Sequence, residues 1–131
     1  MSYHTIIVVG NLGADPSMKY TPSGQAVTAF SVAQSEQYTN AAGEKVKRTL
    51  WFRVEAWGKQ AEVCNQYLKK GSQVLVEGRL KADNDTGAPR VFKKKDETYS
   101  ASFEITASTV RFLSTAKTEE HAQAVEDDAP F

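Results

Sequence analysis

Residues 3–9 are apolar and largely β-branched, stop at Gly10 and run into the turn formers Asn11, Gly13, Asp15 and Pro16, which predicts a strand and its exit. A second turn signal, Tyr20-Thr21-Pro22-Ser23-Gly24, precedes residues 26–33, where Val27, Ala29 and Ser31 alternate with Thr28, Phe30 and Val32. That period of two predicts a second strand. Residues 38–46 carry Thr39, Asn40 and Gly43 and read as the tip of a long hairpin, returning along 49–57. From 59 to 70 the period becomes helical, with Ala61, Cys64, Tyr67 and Leu68 on one face and Gly71 placed as a cap. Residues 72–81 alternate again, with Val74, Val76, Gly78 and Leu80 opposite Leu75, Glu77, Arg79 and Lys81. Polar turn residues fill 84–89, 91–95 read as an outer arm, and 101–113 return to an alternating strand through Phe103, Ile105 and Ala107. Phe30, Val32, Phe103, Ile105 and Phe112 are assigned to the core on this pattern.

About five strands with one helix between the third and fourth predict a mainly β protein: an OB-fold, a five-stranded partly open barrel with one inserted α-helix. At 131 residues there is room for one core and not two. No apolar run is long enough for a membrane span, and no basic region precedes a signal-like stretch. The expectation is a cytoplasmic chain that makes no membrane contact. Cys64 is the single cysteine and has no His nearby, so neither a disulfide nor a metal site is expected, and it reads as a small buried residue.

Strand 49–57 carries the unusual chemistry. Its period of two places Leu50, Phe52, Val54 and Ala56 on one face and Trp51, Arg53, Glu55 and Trp57 on the other. With the first face filling the barrel, two indoles and a guanidinium stand outside, where large aromatics have no packing role unless something covers them. Unpaired bases can cover them, since every base has a π-face and stacking needs no particular sequence. A subunit interface, or the helix, would account for the two indoles equally well.

Charge shifts that balance. The chain is neutral overall, but residues 114–131 hold one cation, Lys117, against Glu119, Glu120, Glu126, Asp127 and Asp128. The tail therefore carries −4 and the body +4. Lys19, Lys45, Lys47, Arg48, Lys59, Lys69, Lys70, Arg79, Lys81, Arg90 and the run Lys93-Lys94-Lys95 fall in loops, arms or outward strand positions, where they can follow a phosphate backbone. Alone, each is an ordinary solvated residue; beside exposed aromatics they form the mixture expected of a single-strand channel.

The string Val8-Val9-Gly10-Asn11-Leu12-Gly13-Ala14-Asp15-Pro16, followed by Lys19-Tyr20-Thr21-Pro22-Ser23-Gly24, closely resembles the opening of bacterial single-stranded DNA-binding proteins. So do Trp51-Phe52-Arg53-Val54 with Trp57-Gly58-Lys59, and Tyr67-Leu68-Lys69-Lys70-Gly71-Ser72-Gln73-Val74 with Glu77-Gly78-Arg79-Leu80. The resemblance implies an OB-fold, a homotetramer, and single-stranded DNA wrapped over aromatics, in association with the nucleoid. Trp51 and Trp57 match two stacking positions of that family, and Tyr38 falls where a third aromatic occurs. Many members have a Trp soon after the Glu-Gly-Arg-Leu strand; this chain has Asp83-Asn84-Asp85, leaving Phe92 as the nearby substitute. The family's acidic tip is matched by Asp127-Asp128-Ala129-Pro130-Phe131, though Ala129 is smaller than the usual aliphatic residue and no long Gly- or Pro-rich linker precedes it.

The implied organisation is an OB-fold DNA-binding domain over residues 1–113 and a short, disordered acidic tail over 114–131. Asp127, Asp128, Pro130 and Phe131 would dock replication, recombination and repair proteins. No convergent acid, base or nucleophile points to an enzyme, and no cofactor is expected. Two other binding functions use the same fold: an RNA chaperone, against which the acidic tail argues, and a primosomal or adaptor protein, against which the paired indoles argue.

Overall fold

A computed structural model describes residues 1–114. The tail reading, with Asp127, Asp128, Pro130 and Phe131, lies outside those residues. Strands β1 (Ile6–Leu12), β2 (Ser17–Tyr20), β3 (Ala26–Thr39), β4 (Lys45–Trp57), β5 (Gln73–Leu80) and β8 (Phe103–Ser114) form one sheet in the order β1-β5-β8-β4-β3-β2. Pairing of β1 with β3, through Asn11↔Ala33 and Leu12↔Val32, closes five of these strands into a barrel. The barrel is thus shut where the sequence predicts it partly open, and β2 continues outward from β3. Helix α1 (Lys59–Tyr67) lies between β4 and β5. A separate hairpin of β6 (Val91–Lys93) and β7 (Tyr99–Ala101) stands between β5 and β8.

The inward phase agrees with the alternation in the sequence. Val8, Leu12, Phe30, Val32, Phe52, Val54, Ala56, Val74, Val76 and Ile105 form the core with Cys64 and Leu68 of the α1 segment. Thr28 is also buried, and its hydroxyl donates to the Ala61 carbonyl at 2.6 Å, tying the helix to β3. Gly58 turns the chain from β4 into α1 with a φ of 66°, a region that favours glycine. The helix stops at Tyr67, short of the predicted end at Lys70. Residues 69–72 instead form a turn held from several sides: Lys69 N–H donates to the Ser72 hydroxyl at 3.1 Å and Gly71 N–H to the Leu12 carbonyl at 2.9 Å.

Two residues assigned to the core are exposed, as are two on faces that otherwise turn inward. Phe103 and Phe112 are exposed at 54% and 39%, and Tyr67 is exposed on α1. A bulge changes the phase of β8: Gly78 pairs with Ala107 but Glu77 with Thr109, so Ser108 is an extra residue, with Ile105 pointing inward before it and Val110 after it. Phe112 keeps the phase of Val110, opposite buried Val74, and is exposed because it lies near the end of β8, 6.3 Å from the Tyr67 ring. Phe103, at the start of β8, lies against Phe52 at 5.5 Å from its one covered side. Leu80, at the far end of β5, is likewise exposed.

Candidate nucleic-acid interface

Strands β3 and β4 pair without a break over thirteen positions, from Val27↔Trp57 to Thr39↔Lys45. Uninterrupted register keeps the parity of the two strands fixed, so faces can be read directly from numbering. Trp51, Arg53, Glu55 and Trp57 lie on the outer face with Ala33, Ser31, Ala29 and Val27 opposite them. The small side chains of β3 leave the two indoles standing clear, 52% and 38% exposed. Lys19 of β2, opposite Val27, joins the same face. Across the parallel β4–β8 seam, Glu104 lies beside Arg53 and Thr106 beside Glu55, and Arg79 pairs with Thr106. A groove of about 330 Å³ crosses this face between Asp15, Lys19, Ser31, Arg53 and Glu55.

The indole of Trp51 is placed by the loop after β1. A Cβ built on Gly13 would fall 2.5 and 2.8 Å from Cζ3 and Cη2 of that ring, so glycine is what lets the loop lie against it. The loop is itself pinned. Gly13 N–H donates to the Ser31 carbonyl at 3.1 Å, the Asn11 amide to the Gly71 carbonyl at 3.1 Å, and Lys70 N–H to the Asp15 carboxylate at 2.9 Å. The Asn-Leu-Gly and Lys-Lys-Gly-Ser blocks therefore act on each other, and together on Trp51.

Beyond Gln34↔Leu50 the β3–β4 hairpin leaves the barrel as an arm. Lys47 shares the Trp51 face of this arm. Tyr38 and Arg48 do not: their parity puts them on the reverse face, where the Arg48 guanidinium lies 4.9 Å from the Tyr38 ring centre and pairs with Glu36. Lys59 is exposed at the start of α1, two residues from Trp57, and Lys69 and Lys70 are exposed on the turn against Asp15. Lys81 pairs with Glu55. Phe92 sits apart on β6, half-buried, with the Arg90 guanidinium 5.3 Å from its ring centre. Arg90 also donates to the Glu104 carboxylate at 2.8 Å, which holds that buried carboxyl below its ordinary range.

Of the residues named from the sequence, the structure brings Lys19, Lys47, Arg79 and Lys81 to the face that Trp51, Arg53 and Trp57 share by alternation. Sequence reasoning put only the last three, with Glu55, on one face. It missed Gly13 as the rest for an indole, and the carboxylates Glu36, Glu55 and Glu104 as partners of the cations. It also missed Tyr99, which stands opposite Lys93 on the outer side of the β6–β7 hairpin and is 72% exposed. A carboxylate at Glu55, in phase with the two indoles, was the one visible signal of the pairing.

Residues 3–113 match the sequence profile of the Single-strand binding protein family. The chain belongs to that family. Among its curated members, the single-stranded DNA-binding protein 1 of Chlorobaculum tepidum is 48% identical over 86 residues, covering 63% of this chain and 53% of its own length. That of Neisseria meningitidis serogroup A is 38% identical over 113 residues, covering 86% and 61%. The chain thus spans a little over half the length of these curated relatives. In three dimensions it is similar to the Plasmodium falciparum SSB solved in complex with ssDNA, with a TM-score of 0.70 and 25% identity, covering 86% of this chain and 97% of that one. A deletion variant of the single-stranded DNA binding protein from Thermus aquaticus gives 0.65 and 29%, covering 83% and 49%. No helix among the described residues is long and apolar enough to cross a membrane.

Proposed function

We propose that this chain binds single-stranded DNA without sequence preference and without chemistry, by stacking bases on Trp51 and Trp57 while Lys19, Arg53, Lys47 and Arg79 meet the phosphates. The observation that carries this reading is the outer face of β4, where two indoles stand clear over small β3 side chains with a guanidinium between them. Stacking contributes about 1–3 kcal/mol per base, and each phosphate contact adds counterion release. Family membership and the likeness to a structure solved with ssDNA support it. Equal lengths of single-stranded DNA, single-stranded RNA and duplex DNA are to be compared by tryptophan fluorescence. The expected order places single-stranded DNA first, with quenching on addition of poly(dT). Trp51→Ala and Trp57→Ala are each expected to weaken binding by about 1–3 kcal/mol in a folded protein; unchanged affinity in both would assign the indoles to an interface.

Tyr38 and Arg48 enter this reading as contacts on the reverse face of the arm, so a strand reaching both them and Trp51 passes around the arm. Phe92, partly covered by Arg90, is a poorer stacking platform than its position in the sequence implied, and Lys59, Lys69, Lys70 and Lys81 serve at the margins of the face.

The assembly proposed is a homotetramer. Ile7 and Val9 point outward from β1, 58% and 43% exposed, and Leu113 of β8 is exposed as well, which is apolar surface that a second copy can cover. Light scattering tests this, and a monomer at micromolar concentration would count against wrapping. The organisation proposed is a binding domain over 1–113 and a docking tail over 114–131, with Asp127, Asp128, Pro130 and Phe131 recruiting replication, recombination and repair enzymes. An aromatic side chain close to two carboxylates suits an apolar pocket with a basic rim. Deleting Pro130 and Phe131 is expected to spare DNA affinity and abolish capture of those enzymes; equal capture would reduce the tail to a charged segment.

A further inference from the structure

Three ion pairs join described residues, and each occupies a cation on or beside the proposed DNA path: Arg48 with Glu36, Lys81 with Glu55, and Arg90 with Glu104. Glu104 differs from the other two. Its side chain is 6% exposed, and its bond to Arg90 fastens the start of β6 to the barrel. Glu36 and Glu55 are more open, their side chains 29% and 17% exposed. Glu36 stands on the projecting arm, directly across from Arg48, whose side chain is 59% exposed. Glu55 stands on the stacking face itself, in phase with Arg53 and Trp57, and draws Lys81 across β8 from the end of β5. A carboxylate amid the indoles of a phosphate-binding surface repels the ligand unless a cation neutralises it.

We infer that Glu36 and Glu55 are built-in counterions that lower the affinity of this face: each holds a cation in the free protein and is displaced from it by phosphate. The inference rests on the DNA-binding reading above. On the arm the displacement has a second effect, because the guanidinium held by Glu36 also covers the Tyr38 ring. A phosphate that draws Arg48 away uncovers a ring face on which a base can stack.

Ion accounting separates this arrangement from an ordinary surface pair. While the carboxylate holds Lys81 or Arg48, that cation neutralises a phosphate only in part and releases fewer counterions from the DNA than a free cation would. Replacing the carboxylate by its neutral isostere frees the cation for one full phosphate contact.

The test uses the full chain as wild type, Glu55→Gln and Glu36→Gln, titrated with dT and dA oligomers of equal length across a series of salt concentrations. Each variant is expected to bind both oligomers about two- to fivefold more tightly, the worth of one exposed ion pair, and its plot of log K against log salt is expected to steepen by about 0.7. Thermal melts check that the fold is kept. Should Glu55→Gln unfold, Glu36→Gln on the exposed arm carries the test. Unchanged or weaker binding with an unchanged slope overturns the inference, and so does a gain confined to one oligomer, which would mean that the carboxylate touches bases. Wild type failing to bind either oligomer would instead sink the proposed function; wild type binding with variants identical to it sinks this inference alone.

Discussion

Replacing Gly13 by Ala separates binding from folding more cleanly than truncating an indole. The backbone at Gly13 lies outside the left-handed region, so alanine meets no conformational penalty there. Restricting the unfolded chain would even favour folding by about 0.4–1 kcal/mol. The whole cost falls on Trp51, whose Cζ3 and Cη2 would lie 2.5 and 2.8 Å from the new methyl carbon. Carbon atoms rest at about 3.5–4.0 Å, so the ring must retreat by roughly 1 Å. Cβ and backbone of Trp51 are fixed by its register opposite Ala33, which makes the retreat a swing of the indole out of its plane of stacking. Loss of one stacked base costs about 1–3 kcal/mol, or roughly 5- to 150-fold in affinity. The assay pairs a urea melt with a fluorescence titration against dT oligomers. The expected result is stability held or slightly raised, a shifted Trp51 emission, and weaker binding. Gly24→Ala is the mirror control: its φ is 86° with nothing within 4 Å of a Cβ, so it loses stability by about 1–2 kcal/mol and keeps its affinity. Wild-type affinity in Gly13→Ala would refute the claim that this loop positions the indole.

Other outcomes follow from the same geometry. Thr28→Val removes a buried hydroxyl that donates to the Ala61 carbonyl at 2.6 Å, and is expected to cost about 1–3 kcal/mol in a urea melt. Burial pushes the Cys64 thiol up to about 11, so it stays protonated at pH 8 and reacts with a disulfide reagent only once the chain unfolds; prompt reaction of native protein would contradict this. The Arg90 hydrogen bond lowers the Glu104 carboxyl below its ordinary value. A depressed carboxylate stabilises the fold above its unfolded pKa, and that contribution fades as pH falls through the folded one. Glu104→Gln is accordingly expected to flatten the acid limb of a stability profile below about pH 4.3.

Strands whose alternation ran undisturbed were legible in the sequence. In β4 the inward set Phe52, Val54, Ala56 and the outward pair of indoles are where the period of two put them. β8 was not, because Ser108 shifts the phase midway, and no residue type marks a bulge as clearly as a glycine marks a turn. Four-residue β2 is nearly all exposed and so has no hydrophobic alternation to detect. Tyr38 was grouped with Trp51 by the family resemblance and Arg48 by its charge, whereas parity along thirteen unbroken pairs sets both on the reverse of the arm. Charge partners were hidden for a simpler reason: Lys81 and Glu55 are brought together only by the ordering β5-β8-β4, which pattern alone does not reveal.

The two-pair contact between β1 and β3 has a kinetic consequence. The β3–β4 hairpin is local and can form within microseconds, whereas β1 pairs with β3 across 22 residues, Asn11 to Ala33, and with β5 across 62, Asn11 to Gln73. The pairing with β5 closes the longer loop and is the slower of the two, while the β1–β3 seam is the shortest in the sheet. The amide proton of Gly13, which donates across this seam to the Ser31 carbonyl, is where exchange with solvent is expected to run ahead of global unfolding. The loop carrying Gly13 begins there, so breathing of the barrel and wandering of the Trp51 indole are one motion.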